Sequence, residues 1–521
     1  MSFDPARLSE EFARLPALLS WHVLITLIAV GLALAISLPL GVLTTRRPWM
    51  RGPALGLASL VQTIPGIALL ALVFSLLVLL REALPESAGF RAIGLLPTLI
   101  ALTLYAVLPI LRNTVTGLEG VDRDAVEAAR GLGMTPGQRL RKVELPLAMP
   151  VIVAGLRTSL VWTVGVATLS TPIGQPSLGN FIFGGLQTSN LTAILVGCVA
   201  SAALAIGLDL LVAAMQRGVA RRKRGVLLGG LTALLALLIT AASVLTFGNP
   251  RGNDADAPLV RLGTKNFNEQ YILGRVMRDR LEAAGFRVEL LEGLGSLNAF
   301  NALAAGEIDA YVDYSGTIWS SSMQRDPGPS RADVLAETTT WLRETHGIEL
   351  LGSLGFENAY ALAMPEATAE RLGIRTIADL ARHAGDLEIG SDIEFFNRPE
   401  WERLRDLYGL SFAGRVPMNP TLMYEAARAG DVDVITAFTT DGRIPAYDLR
   451  LLTDGRAAFP PYDAVLLLSE SPAKNDPLVS ALRPLIGAID LATMQEANRL
   501  VDLEKQSPQQ SADWLSQQTA R

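Results

Sequence analysis

The 521-residue sequence predicts two folds in series: an all-α polytopic membrane domain of about six transmembrane helices over residues 1–250, then an α/β domain over 258–521. Three observations carry this expectation. Up to about residue 248 the chain is dominated by Leu, Ala, Val and Ile, in runs near the roughly 20 residues that a helix needs to cross a bilayer. From Asp254 onward these give way to short strand-like segments alternating with amphipathic ones, the pattern of α/β units with largely parallel sheets. Between the halves, "FGNPRGNDADAP" at 247–258 has the composition of a linker. A net charge of −6 leaves no nucleic-acid footprint. The single cysteine, Cys198, permits no disulfide within the chain and reads as a buried, inert thiol.

Six stretches suit membrane spans, near 18–41, 54–80, 93–111, 147–170, 191–215 and 226–247. The first is too long, and preceded by too many acids, for a cleaved signal peptide. Pro65 and Pro109 fall inside spans, where neighbouring helices must satisfy the freed backbone groups. Lys and Arg favour the cytoplasmic side of short loops. They gather in 42–53 (Arg46, Arg47, Arg51), in 112–146 (among them Arg112, Arg130 and Lys142) and in "QRGVARRKRG" at 216–225. Six spans place all three loops on one side. The N-terminus and everything after residue 248 then lie outside, as in a multi-pass protein of the cell (inner) membrane with a periplasmic C-terminal domain. The outward loop 171–190, "TPIGQPSLGNFIFGGLQTSN", reads either as a re-entrant gate or as a plain external loop. His22, within the first span, marks a polar site or simply packs.

The 113–146 segment is polar, with five acids and five bases. Asp124 and Glu127 have capping-box spacing, and Gly131 or Gly133 can end the helix that follows. Thr135 and Gln138 form a second box with Pro136 at the first helical position, and that helix is expected to stop before Pro146. Balanced charge favours docking to a protein over binding lipid headgroups. "EAARGLGMTPGQRLRKVELP", Glu127 to Pro146, resembles the EAA loop of ABC importer permeases, with Glu127, Ala128 and Ala129, then Gly133, then Val143, then Leu145 and Pro146 in register. The resemblance implies a type I permease-like fold, a coupling helix seated in a separate ATPase subunit, and two copies of the permease. The chain has five lysines and none follows a G-x-x-x-x-G pattern, so no cofactor is expected in it and ATP is used by the partner. The scattered His22, His346 and His383 suggest no metal site.

In the second half, "LAAGEIDAYVDYSGT" at 303–317 echoes "ARAGDVDVITAFTTDG" at 427–442; aligning Gly306 with Gly430 sets Tyr314 opposite Phe438. Ligands of open α/β sheets bind beyond the carboxyl ends of strands, so two like lobes each offer an aromatic ring to a shared cleft. "GTKNFNEQYILG", "GEIDAYVDYSGT", "GFENAYALAM", "FTTDGRIPAYDL" and "FPPYDAVLLL" follow in order. Together they resemble the substrate-binding domains of osmoprotectant importers for glycine betaine, choline and carnitine, and the related ergothioneine-binding domains. These are two-lobed and periplasmic-binding-protein-like, of type II.

The resemblance implies a small quaternary-ammonium ligand, which aromatic faces and a nearby carboxylate hold by cation–π and charge attraction. The candidates at predicted strand ends and turns are Asn266, Glu269, Gln270, Asp313, Tyr314, Asn358, Tyr360, Phe395, Phe396, Tyr424, Phe438, Thr439, Asp441 and Arg443. Arg443 either forks onto a ligand carboxylate or pairs with Asp441. "EFFNRPEW" departs from commoner family members and leaves the second lobe's cage, and with it the solute, open. The expected function is the permease and binding subunit of an ATP-driven importer, not an enzyme, with glycine betaine, choline or carnitine as solute and ergothioneine as the alternative. A membrane-tethered solute sensor is the alternative from another class, though it needs no coupling loop.

Overall fold

The computed structural model describes residues 8–83, 90–187, 190–221, 223–247, 257–326, 330–392, 395–418 and 420–519. The chain divides into two compact units, one helical (Phe3–Phe183 with Leu191–Asn253) and one made chiefly of Asp254–Arg521.

The helical unit runs α1 (Leu8–Arg46), α2 (Pro48–Thr63), α3 (Gly66–Ala83), α4 (Leu95–Glu119), α5 (Arg123–Gly131), α6 (Pro136–Arg139), α7 (Leu145–Ala167), α8 (Gly179–Gln187), α9 (Leu191–Ala220) and α10 (Arg224–Phe247). Among the described residues five helices are long and apolar enough to cross a membrane, and up to six if α2 and α3 count as one broken span. The stretch 54–80 is thus no continuous helix: α2 and α3 meet at 105°. Pro65 causes the break, since it lacks an N–H and drives the residue before it out of helical geometry; Ile64 is extended (φ −76°, ψ 127°). Tyr105 of α4 satisfies the exposed end, its hydroxyl donating to the Ile64 carbonyl while Gln62 Nε2 donates to the Tyr105 carbonyl at 3.1 Å.

α4 lies between α1 and α7, and α9 packs on α7. The close crossing of α4 and α7 requires Gly155, where a Cβ would come within 2.6 Å of the Pro109 carbonyl and the Asn113 side chain. The 171–190 stretch is no plain loop. A 3-10 turn over Thr168–Ile173 leads to α8, with Leu178 and Phe181 buried, and Gly179 packs so tightly that a Cβ would sit 1.9 Å from the Thr168 carbonyl. His22 packs there rather than lining an open polar site: its Nε2 lies 3.0 Å from the Val164 carbonyl, and its Nδ1 accepts from the Leu178 amide at 3.2 Å. Cys198 is exposed, contrary to expectation, because it lies on the outer face of α9 beside Leu195 and Val199.

The second unit holds two five-stranded sheets. Its strands are β1 (Leu259–Lys265), β2 (Arg287–Leu294), β3 (Ala310–Tyr314), β4 (Glu349–Glu357), β5 (Tyr360–Pro365), β6 (Glu388–Ser391), β7 (Gly414–Pro417), β8 (Val434–Phe438), β9 (Leu449–Leu451) and β10 (Asp463–Leu468). The orders β2-β1-β3-β10-β4 and β7-β6-β8-β5-β9 place the two echo strands, β3 and β8, at the centre of each. Gly306 and Gly430, in the turns before them, both take positive φ (65° and 79°), which explains the shared glycine. The sheets are mixed rather than largely parallel: β10 and β5 run antiparallel to both neighbours. The reason is the double crossover. The chain leaves one lobe after β4 to enter the other as β5, and returns as β10. The two crossings are tied by Asn358 N donating to the Tyr462 carbonyl at 3.0 Å.

Candidate functional site

The cleft between the lobes holds a cavity of about 310 Å³ and, beyond Asn358 and Phe438, a smaller chamber of about 100 Å³. The larger cavity is walled by aromatic rings from both lobes: Phe267 at the start of helix α11 (Asn268–Ala283), Tyr314 at the end of β3, Tyr360 at the start of β5, Phe438 at the end of β8, and Tyr462. Tyr360 is the hub, with centroids 5.0 Å from Phe438, 5.0 Å from Phe395 and 5.7 Å from Tyr462. Charge comes from Lys265, Asp392 and Arg398. Arg398 lies 5.2 Å from the Tyr360 centroid and forks onto Glu400 at 3.1 and 3.3 Å, while its Nη2 also donates to the Tyr462 hydroxyl at 3.3 Å. Burial pushes the Glu400 carboxyl up, but the Arg398 charge together with the hydrogen bonds from Arg398 and Tyr462 outweighs it and holds Glu400 below its ordinary value.

Glu269 organises the boundary with the smaller chamber. It accepts from the Tyr314 hydroxyl at 2.5 Å, from Asn358 Nδ2 at 3.1 Å and from Asn498 Nδ2 at 3.1 Å. Burial nonetheless raises its pKa against these bonds. Asn498 also donates to the Thr440 carbonyl at 3.0 Å, and Gln495 to that of Thr439 at 2.9 Å, so the helix Leu491–Asp502 of one lobe holds the 439–441 turn of the other.

Of the sequence candidates, Asn266, Glu269, Tyr314, Asn358, Tyr360, Phe438, Asp441 and Arg443 line one or both chambers. Six others do not. Asp313 is saturated by Lys265, by the Tyr311 hydroxyl and by the Tyr314 amide at 2.7 Å. Gln270 is buried behind Tyr314 and donates to its hydroxyl at 3.0 Å. Phe395 is wholly buried in the core, and Phe396 packs on Trp401 at 5.3 Å. Tyr424 is buried with its hydroxyl accepting from the Phe438 amide at 2.9 Å. Thr439 bridges the crossover, its hydroxyl accepting from the Ala359 amide at 3.0 Å. Arg443 forks onto Asp441 at 2.6 and 2.9 Å with its guanidinium 4.1 Å from the Tyr424 centroid, so the ion pair is the arrangement observed. Sequence reasoning missed Lys265, Phe267, Asp392, Arg398, Tyr462, Asn498 and Asp502. Lys265 and Phe267 lay inside "GTKNFNEQYILG", Arg398 inside "EFFNRPEW" and Tyr462 inside "FPPYDAVLLL", all stretches already singled out.

In the 113–146 segment, Asp122 rather than Asp124 caps α5, accepting from the Asp124 amide at 2.9 Å. Gly133 has φ 73° past the end of α5, and the Thr135–Gln138 capping box is formed. The helix does not stop before Pro146. A π-helical turn over Leu140–Glu144 joins α6 to α7, with Leu145 N bonded five residues back to Leu140; in the shifted ladder Pro146, at the start of α7, needs no N–H. Glu127 and Ala128 are exposed beside Leu132, which is 77% exposed, whereas Ala129 is buried. Glu144 anchors the segment to Arg46 and, at 2.7 Å, to Arg139.

An apolar helical unit interrupted by a polar helix pair, followed by two like lobes that flank an aromatic cavity, defines a membrane permease joined to a solute-binding domain. Residues 258–517 match the family described as the substrate binding domain of ABC-type glycine betaine transport system. Residues 37–225 match the binding-protein-dependent transport system inner membrane component. The ergothioneine transport permease/ergothioneine binding protein EgtU of Helicobacter pylori is 30% identical over 491 residues, covering 92% of this chain and 85% of that protein. The choline transport system permease protein OpuBB of Bacillus subtilis is 42% identical over 196 residues (38% of this chain, 84% of that protein). A glycine-betaine-binding protein of Pseudomonas aeruginosa is 36% identical over 277 residues (50% and 88%). The chain belongs to the family of ABC-importer permeases fused to their substrate-binding domain; it is a membrane transport component, not an enzyme.

Proposed function

We propose that this chain imports a zwitterionic quaternary-ammonium solute of the betaine, carnitine or ergothioneine kind, in preference to choline. One observation carries the reading: the 310 Å³ cavity combines aromatic faces for the onium group with Arg398 and Lys265 for a carboxylate. Asp392, Tyr314, Tyr360, Phe438 and Tyr462 hold the cationic end. Ergothioneine gains support because the H. pylori relative, named for that solute, matches across both halves of this chain. A separate ATPase docks on Glu127, Ala128 and the exposed Leu132 and supplies the energy. Two copies form the pathway, the basic loops face the cytoplasm, and the binding domain stands outside the inner membrane. Calorimetry of the purified full chain with glycine betaine, carnitine, ergothioneine and choline tests the reading. At least one carboxylate-bearing solute is expected to bind more tightly than choline. Choline binding as tightly as all three removes the carboxylate subsite, and no binding to any of them removes the quaternary-ammonium assignment.

A further inference from the structure

α7 and α9 carry a charged cluster where the sequence is otherwise apolar. Arg157, midway along α7, donates from Nε and Nη2 to the two carboxylate oxygens of Asp209 in α9, at 2.9 and 2.8 Å. Its Nη1 donates to Gln216 Oε1 at 3.1 Å, and Gln216 Nε2 donates to the Pro150 carbonyl at 2.8 Å. The side chains of Arg157 and Asp209 are 33% and 29% exposed on the single chain. Thr158, the residue after Arg157, and Trp162, one turn beyond Thr158 and 59% exposed, share an exposed stripe of α7.

Leu160 and Val164, on the stripe of α7 that carries Arg157, pack into the bundle interior with Leu208 and Val212 of α9. The charged pair bridges α7 and α9 at the rim of this packing, partly open on the single chain and partway between the ends of two apolar helices. Hydrocarbon is a poor neighbour for it: ionisable side chains in spanning segments face protein or a water-filled cavity. A guanidinium and a carboxylate side by side offer both signs over a short distance. That suits brief contact with a solute carrying an onium group and a carboxylate, and a pair already balanced does not trap it.

We propose that Arg157, Asp209 and Gln216 line the water-filled solute route and form a weak intramembrane subsite for zwitterions. The proposal rests on the importer reading, and its test separates the two. The first readout needs no transport: Thr158→Cys in a Cys198→Ala background, in membrane vesicles of either orientation, is treated with a charged, membrane-impermeant thiol reagent. Labelling is expected. Its absence overturns the proposal, whether or not a lipophilic maleimide reacts. The second readout uses the double variant Arg157→Leu/Asp209→Leu, which leaves no uncompensated charge. It is expected to insert and to bind solute like the wild type while uptake falls roughly tenfold or more. Wild-type uptake in that variant would make the pair merely structural and overturn the subsite. Failure of the importer reading instead appears as a wild-type chain that, with its ATPase, moves no solute.

Discussion

Replacing Tyr360 by Leu removes one ring from the aromatic cavity while leaving an apolar side chain in its place. Tyr360 touches the rings of both the crossover and the second lobe, at 5.0 Å from Phe438 and 5.7 Å from Tyr462. Its face interacts with the Arg398 guanidinium at 5.2 Å, and Glu400 balances that charge at 3.1 Å. A cation–π contact is worth about 0.5–2 kcal/mol, so losing one raises Kd about two- to thirty-fold. The assay is calorimetry on the purified full chain with glycine betaine and with 3,3-dimethylbutanoate, its uncharged carbon isostere at the onium end. Betaine binding is expected to weaken by that factor, and isostere binding by less than about twofold, because both lose the same apolar contact and only one loses the charge–ring attraction. Tyr360→Phe keeps the ring and gives up the long 3.4 Å bond to Asp392, so it is expected to bind like the wild type. Equal losses for both ligands in Tyr360→Leu, or no loss for betaine, would refute the cage.

Glu127→Lys is expected to leave solute affinity unchanged while uptake falls roughly tenfold or more, because it reverses a charge on the exposed face of α5; lost affinity in the purified variant would contradict this separation. Gly133→Pro should act alike, since φ 73° is closed to proline. Burial pushes the Asp502 carboxyl up to about 6 from an ordinary 3.8, with Arg443 opposing the shift and Asp441 adding to it. The folded chain then holds a proton that the unfolded chain has released, so this contribution to stability declines as pH rises from about 4 to about 6, by at most about 3 kcal/mol. Thermal melts should therefore show the wild type losing stability relative to Asp502→Asn across that window; parallel curves would place the Asp502 titration elsewhere.

Composition and periodicity disclosed most of the architecture, because lipid-crossing length and the echo around Gly306 and Gly430 are local properties of the chain. They did not disclose the bend at Ile64–Pro65. A proline within an apolar run is compatible with a kinked span or a broken one, and the outcome depends on Tyr105, forty-one residues away, reaching the freed carbonyl. The cleft divides in the same way. Tyr314 and Phe438 were legible because strand ends of an α/β sheet point at the ligand. Phe395 and Tyr424 occupy similar contexts in sequence and are wholly buried, since the sequence marks an aromatic near the cleft without fixing which side of the backbone it takes. Asn498 and Asp502 come from a helix more than two hundred residues beyond Glu269 and Asn268, and only the return crossover at β10 brings them together.

The arginines sharpen the point. Sequence reasoning left Arg443 open between a ligand fork and an ion pair with Asp441, and left "EFFNRPEW" as the doubtful stretch; the cleft uses that stretch for Arg398 and pairs Arg443 with Asp441. Both guanidiniums, like Lys265 with Asp313, carry a resident carboxylate. Pairing keeps a buried charge tolerable when no solute is present, whereas removing one partner strands the other. A cleft built from such pairs has no strong net field, so recognition falls to the placement of charges against ring faces. Single-charge substitutions at Arg398 or Asp441 therefore perturb folding and binding together, and the aromatic positions, Tyr360 first among them, are where specificity can be measured apart from stability.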